Sequence, residues 1–168
     1  SDGPSFTGIR SEVNPAAWNI VMGLGNSFIA FCLDLTGTIE DNVDYVINNL
    51  NPFQPSRQLS ALQRQNVETL FDASYADVDV NNNIDGGAFQ LALWEAAYET
   101  TAGALSFITG TRLGTATYVD AAGDTVTNTA LMARANEFLD NMSNPVWDRF
   151  EVNFLDADVL AKQDLVMA

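Results

Sequence analysis

One cysteine and one glutamine have the residue types and the surroundings to do chemistry together. Cys32 is the sole cysteine and lies in the apolar stretch 28–35, and Gln90 lies in a second apolar stretch, 88–99. A cysteine sulfur can attack the side-chain carbonyl of glutamine, expel ammonia and leave an internal thioester. That reaction requires the two groups to be held in contact with water excluded. The pair therefore indicates acyl chemistry within the chain, provided that the fold brings the two residues together.

The stretch around Cys32 is predicted to be a strand with two buried faces. Side chains alternate along a strand, so Cys32 shares a face with Asp34, whereas Phe31 lies on the opposite face. Both faces are mostly apolar, which is typical of a central strand covered on both sides. The face of Cys32 ends in a carboxylate, which fits an edge that meets a polar site or solvent. Buried cysteines often merely pack, so a structural role stays open.

The stretch around Gln90 is predicted to be a helix from 88 to about 100. Glu95 and Glu99 are spaced i,i+4 and are expected to form its exposed face. At about 100° per residue, Gln90 then points inward with Trp94. A buried primary amide is unfavourable unless it is hydrogen-bonded, so the alternative is a core glutamine that bonds nearby backbone.

The rest of the chain must position this pair, and its pattern predicts an α+β fold. Strands are expected at 17–22 and 27–35, and helices at 57–73, with Ser56 as N-cap, at 88–100 and at 129–142. Strand-like stretches follow the helices or lie between them, at 104–109, 115–119, 146–155 and 158–166. Strands at both ends with about three helices between them indicate one domain over residues 1–168, with a helical subdomain inserted between strands of a β-sandwich or barrel.

Composition excludes several classes of function. The chain has 22 acidic and seven basic residues, a formal charge of −15, which disfavours a nucleic-acid partner. The absence of histidine removes Ser-His and Cys-His dyads and histidine-ligated zinc. A single cysteine excludes an internal disulfide. No apolar stretch approaches the length of a transmembrane segment.

Two short motifs resemble those of a known family. Residues 31–34 (Phe-Cys-Leu-Asp) and 89–95 (Phe-Gln-Leu-Ala-Leu-Trp-Glu) are similar to the cysteine and glutamine motifs of bacterial surface thioester domains. The segment 88–99 looks more like the Gram-negative proteins of this kind that carry a PEP-CTERM sorting tail. Residues 162–166 (Lys-Gln-Asp-Leu-Val) are similar to the stretch that often precedes such a tail.

The resemblance implies a β-sandwich or barrel with a helical subdomain, and a Cys32–Gln90 thioester that an amine on a target opens to an amide bond. The chain would then be a single-turnover adhesin or matrix-anchoring domain without a cofactor, not a turnover enzyme. Its partner would be a lysine amine of a surface or matrix protein, or a polysaccharide. It would lie outside the cell, with a signal peptide and sorting tail beyond this chain. The residues expected to line the site are Phe31, Asp34, Phe89 and Trp94.

Two alternatives remain open from the sequence. The segment 77–87 alternates oxygen-bearing side chains like a calcium loop, although Ala92 stands where an EF-hand needs its glutamate. The calcium candidates are Asp77, Asp79, Asn81, Asn83 and Asp85; otherwise the segment is a polar loop in which Asp85 caps the following helix. The alternative function is a non-covalent extracellular matrix or carbohydrate-binding module in which Cys32 and Gln90 are only structural.

Overall fold

The computed structural model describes residues 5–6, 17–21, 27–33, 43–50, 58–100, 105, 116–119, 122–157 and 164–168. Eight strands lie within these residues: β1 (Ser5–Phe6), β2 (Ala17–Val21), β3 (Ser27–Cys32), β4 (Tyr45–Ile47), β5 (Ala116–Val119), β6 (Thr125–Thr127), β7 (Asn153–Ala157) and β8 (Leu165–Met167). The helices are α1 (Ala61–Ser74), α2 (Asn83–Tyr98) and α3 (Thr129–Asn141), with a short 3₁₀ helix (Tyr75–Asp77) after α1.

The strands of the described residues form two antiparallel sheets. The larger has five strands in the order β2-β3-β8-β7-β4, and the smaller has the order β1-β5-β6. Strands from both ends of the sequence therefore meet in one sheet, with the helices between them in the chain. The predicted α+β class with three helices is confirmed. Within the described residues, the five-stranded sheet is open rather than closed into a barrel.

Helix α1 begins later than the sequence pattern predicted. Ser60 is its N-cap: its hydroxyl accepts from Gln63 N, while Gln63 Oε1 accepts from Ser60 N. This reciprocal capping box satisfies two donors and fixes the start at Ala61. The predicted start at 57 is wrong, and Ser56 lies outside the described residues.

Helix α2 begins earlier than predicted and has no solvent-exposed face along most of its length. Asn82, not Asp85, is the N-cap, and its side chain accepts from Ile84 N and Asp85 N. Every residue from 86 to 97 is buried. Glu95 is 0 % exposed and Glu99 is 7 % exposed. The expectation that these glutamates form an exposed face is therefore wrong, because α2 packs against α1, α3 and β2 rather than lying on a surface.

An aromatic cluster joins β3 to the helices. The ring of Phe31 lies 4.8 Å from that of Phe89 and 6.2 Å from that of Phe71. Phe89 also contacts Phe71 at 5.1 Å and Phe138 of α3 at 5.6 Å. Buried aromatic pairs at these separations add to the apolar burial that stabilises a core. The helical layer thus packs on the Phe31 face of the sheet.

The last third of the chain has less strand than its apolar pattern predicted. Residues 146–152 form a loop, and β7 begins only at Asn153, so the predicted strand over 146–155 is largely wrong. Of the predicted strand over 158–166, only the end belongs to β8, and 158–163 lie outside the described residues. The prediction over 104–109 also falls outside them, apart from Leu105. None of the helices described is long and apolar enough to cross a membrane.

Candidate functional site

The candidate site lies at the end of the described pairing of β3 with β2. Ala17, the first residue of β2, pairs with Phe31, one residue short of Cys32. On the other side of β3, Leu33 N donates to Asp164 O at 2.9 Å. Because hydrogen-bonded residues alternate along an antiparallel strand, the N–H and C=O of Cys32 point away from β8, towards the β2 side. Cys32 thus has a backbone donor and acceptor at a position that the described part of β2 does not reach.

The side chain of Gln90 fills that position. Its Oε1 accepts from Cys32 N at 2.8 Å, and its Nε2 donates to Cys32 O at 2.6 Å. The primary amide thus bonds the strand as a neighbouring backbone would. Its orientation is fixed, because the backbone N–H can only donate and the carbonyl can only accept. Adding the carbonyl bond length to the 2.8 Å contact places Gln90 Cδ no more than about 4 Å from Cys32 N.

Burial protects this contact from water. Gln90 is 0 % exposed and Cys32 is 7 % exposed. Phe31 and Phe89, the sequence neighbours of Cys32 and Gln90, are fully buried with their ring centroids 4.8 Å apart. Trp94, one helical turn after Gln90, is also buried. The inward direction of Gln90 and Trp94 that the helical spacing predicted is confirmed. Asp34, the fourth expected lining residue, lies outside the described residues.

Two residues that the sequence did not single out are electrostatically coupled to the site. The pKa of the Tyr45 phenol is raised, first by burial and then by Cys32 and Asp164. Asp164 itself is buried, and its Oδ1 accepts from Ala157 N at 3.0 Å, while Ala157 pairs with Tyr45 across β7 and β4. Only the pairing of distant strands brings these groups to the neighbourhood of Cys32, so no local pattern could have found them.

Helix α2 and its C-cap residue carry a buried acidic pair, Glu95 and Glu99, beyond Gln90. Burial, and then the nearby charge of Glu99, raise the pKa of Glu95 to about 7. Within the described part of the chain, neither oxygen of Glu95 has a hydrogen-bond partner, whereas Glu99 Oε1 accepts from Thr100 N at 2.8 Å. A carboxyl without partners in an apolar interior favours its neutral form. Glu95 is therefore the titratable group of α2 whose charge changes nearest to neutral pH.

The calcium candidates are engaged in other contacts. Asp85 accepts from Arg134 of α3, with a separation of 3.0 Å, and this bond holds the pKa of the Asp85 carboxyl below its usual range. Asp79 Oδ1 accepts from Asn81 N, and Asp79 N donates to Asp85 Oδ2. Asn83 is the first residue of α2. The described residues contain no group of three or more acidic or cysteine side chains arranged to hold a metal ion.

The hydrogen bonds between Gln90 and Cys32 are compatible with acyl transfer and equally with a purely structural contact. The N–H of Cys32 polarises the Gln90 carbonyl and would stabilise negative charge on its oxygen as a nucleophile adds, as oxyanion-hole donors do. The same two hydrogen bonds would also satisfy an inert core glutamine. Comparison with known proteins finds no matching family model, no matching curated protein and no matching solved structure.

Proposed function

We propose that this chain is an extracellular or cell-surface domain that forms an internal thioester between Cys32 and Gln90 and uses it once to attach covalently to an amine-bearing partner. The observation that carries the proposal is the paired hydrogen bond between the buried Gln90 amide and the backbone of Cys32. Glutamine is a costly choice for a fully buried position, and here its side-chain amide is hydrogen-bonded to the backbone of the chain's single cysteine.

Two balanced steps describe the chemistry. In the first, the sulfur of Cys32 attacks Gln90 Cδ, the C–N bond breaks, and ammonia leaves with the thiol proton. In the second, a partner amine attacks the thioester carbonyl, the C–S bond breaks, and the proton lost by the amine returns to the Cys32 sulfur. The product is an amide between Gln90 and the partner, and a cysteine thiol. No cofactor takes part, and each molecule reacts once, unlike a turnover enzyme.

The surroundings support a bond that survives long enough to be used. Bulk water hydrolyses thioesters, and burial of both residues slows that loss. The chain also has no histidine to act as a base near neutral pH. The resemblance of the two motifs to bacterial surface thioester domains, including the PEP-CTERM-associated kind, supports the same function, the surface localisation and a sandwich or barrel for the complete fold. The partner proposed on this basis is a lysine of a surface or matrix protein, or a polysaccharide.

The test is the intact mass of freshly purified protein before and after incubation with methylamine. The proposal predicts a mass short by one ammonia, which rises by one methylamine after incubation. Cys32→Ala and Gln90→Ala should each have the full mass and gain nothing. Gln58→Ala, a substitution of an exposed glutamine, is the matched control and should behave like the wild type.

Peptide mapping separates a lost thioester from one that never formed. A wild-type chain that is not short by one ammonia and has glutamate at position 90 has formed the thioester and lost it by hydrolysis, provided that the Cys32→Ala variant retains glutamine there. A wild-type chain of unmodified mass, with glutamine at position 90 and a reactive Cys32 thiol, contradicts the proposal.

The alternative is a non-covalent matrix or carbohydrate-binding module in which the two residues only stabilise the fold. The observation that favours it is that both polar atoms of the Gln90 side chain already have partners in the unreacted geometry. Under this alternative, Cys32→Ala leaves partner binding unchanged, and the wild-type chain has its full mass.

A further inference from the structure

A second feature, which contains neither Cys32 nor Gln90, is an open cleft between α1 and the loop 147–152. It has a volume of about 660 Å³. One side is a stripe of α1 at helical spacing, and the other is the loop that leads into β7. The residues lining it are Gln65, Glu68, Thr69, Asp72, Trp147, Asp148, Phe150, Glu151 and Val152.

Trp147 is the exposed aromatic group of this cleft. Its side chain is 62 % exposed, and the adjacent Val146 is 61 % exposed. Burying an indole ordinarily contributes favourable free energy, so a tryptophan left in solvent beside a concave surface is available to a ligand. The lining has two other apolar residues, Phe150 and Val152, and both are half-buried against the core.

One buried carboxylate anchors the backbone of the loop directly after Trp147. Asp72 of α1 accepts from the backbone N–H groups of Asp148, Arg149 and Phe150 at 2.9–3.0 Å. Asp148 has a φ of 58°, in the left-handed region that is uncommon for residues other than glycine. A loop fixed in this way needs little further ordering when a ligand binds, which lowers the entropic cost of binding.

The charge of the lining is of one sign. Four carboxylates line the cleft, those of Glu68, Asp72, Asp148 and Glu151, and its lining contains no basic side chain. The nearby Arg149 lies over the ring of Phe150 at 5.6 Å and is not part of the lining. An indole face next to carboxylates attracts an ammonium or guanidinium group through cation–π and charge interactions together.

We propose that this cleft is a non-covalent binding site for a lysine or arginine side chain of a basic peptide segment. The aliphatic part and the charged head of that side chain would lie on Trp147, with Glu68 and Glu151 on either side of the cleft as counter-charges. A neutral sugar could stack on the same indole, but the excess of carboxylates favours a cation over an uncharged ligand. The site is independent of the thioester and goes beyond the function proposed above.

The test measures binding of an acetylated hexapeptide of alternating glycine and lysine by calorimetry at low salt, in the Cys32→Ala background so that no covalent adduct forms. The same peptide with its lysines acetylated on the side chain, and a neutral hexasaccharide of glucose, are the comparison ligands. We expect the lysine peptide to bind and both neutral ligands to fail. Trp147→Ala is expected to weaken binding about fivefold or more.

Charge-matched variants separate a site from general attraction to an acidic protein. Glu68→Gln and Glu151→Gln should each weaken binding several-fold, whereas Asp140→Asn, which removes one exposed negative charge from the end of α3, should change it less than twofold. Any one of four results would overturn the proposal. They are equal losses of affinity in all three charge variants, binding that Trp147→Ala leaves unchanged, no binding of the lysine peptide, and binding of the hexasaccharide instead. Thermal melts of each variant verify that it is folded, and the exposure of Trp147 makes its truncation compatible with folding.

Discussion

The side-chain amide of Gln90 bonds both the N–H and the C=O of Cys32, at 2.8 and 2.6 Å, and so takes the place of a neighbouring strand at the end of β2. One residue of a helix therefore completes the hydrogen bonding of a strand far away in the sequence. The contact joins the helical layer to the five-stranded sheet, and it would position an electrophilic carbon beside a sulfur.

Removal of the Gln90 amide should destabilise the fold even where no thioester forms. In a Cys32→Ala chain, the backbone groups of residue 32 still bond Gln90, so Gln90→Ala removes one hydrogen-bond partner from a buried donor and one from a buried acceptor. The expected loss is about 2–4 kcal/mol in the free energy of unfolding. Urea denaturation measures it, with Gln58→Ala in the same background as a control expected within about 0.5 kcal/mol. A loss no larger than that of the control would show that the two bonds contribute nothing.

Tyr45→Phe should slow the reaction of the thioester with methylamine, by about tenfold, because it removes a phenol that would donate a proton to the Cys32 sulfur as that sulfur departs; burial and then the charges of Cys32 and Asp164 raise the pKa of this phenol, so it keeps its proton at neutral pH. The readout is the rate of adduct formation by intact mass. Tyr75→Phe is the matched control, since burial also raises the pKa of Tyr75 but Cys32 does not contribute to that shift. Equal rates in the two variants would show that the Tyr45 hydroxyl takes no part in the reaction.

Glu95 should make the protein less stable as the pH rises towards neutral. Its pKa is raised from 4.5 to about 7 in the folded chain, so between these values the folded state binds more protons than the unfolded state. The free energy of unfolding therefore falls with rising pH, by up to about 1.4 kcal/mol per pH unit from this group. Glu95→Gln should flatten that slope in urea titrations from pH 4.5 to 7, while Asp140→Asn should retain it. An unchanged slope in Glu95→Gln would assign the pH dependence elsewhere.

Arg134 should stabilise the contact between α2 and α3 at neutral pH. Its guanidinium bonds both oxygens of Asp85, at 3.0 and 3.2 Å, and the carbonyl of Asp77, and it lies over the ring of Phe138. Arg134→Met is expected to cost about 1–2 kcal/mol at pH 7.

That loss should depend on pH in a defined direction. The pKa of Asp85 is lowered in the folded chain, so its stabilisation is present above its usual range, near 3.8, and is lost as the pH falls through the lower folded value. The difference between wild type and Arg134→Met should therefore shrink in acid. Glu137→Gln, which removes only an exposed partner of Arg134, should cost less than about 0.5 kcal/mol.

If the segment 77–87 binds calcium, EDTA should lower the melting temperature of the protein, and excess calcium should restore it. The contacts of Asp79 and Asp85 with neighbouring backbone and with Arg134 already order this segment. An unchanged melting temperature in EDTA would show that those contacts order the segment without calcium. Magnesium at the same ionic strength is the control for general screening of the acidic surface.

Local rules predicted the side-chain directions at Cys32 and Gln90, although the contact between them depends on the fold. Alternation along 28–35 gave Cys32 and Phe31 opposite faces, and helical spacing turned Gln90 and Trp94 inward, as the structure has them. The same helical spacing failed for Glu95 and Glu99. A periodicity argument assumes that polar residues mark the solvent side, and α2 is enclosed by neighbours all round.

What the sequence could not supply depends on contacts between distant residues. Asp72 fixes the loop 148–150, which lies within the stretch 146–155 that was predicted to be a strand. Tyr45 and Asp164 approach Cys32 through strand pairing across most of the chain. Such pairings follow from the whole packing and leave no local signature in residue type or spacing.

The place of Gln90 in the middle of α2 has a mechanical consequence. A partner linked to its side chain would pull on a helix whose residues 86–97 are buried on every side, rather than on a terminus or a surface loop. Tension would then be shared among α1, α3 and the sheet before any strand could peel away. An anchor set at this depth would yield only as the whole domain unfolds, and even then the amide bond would keep the partner attached to the chain.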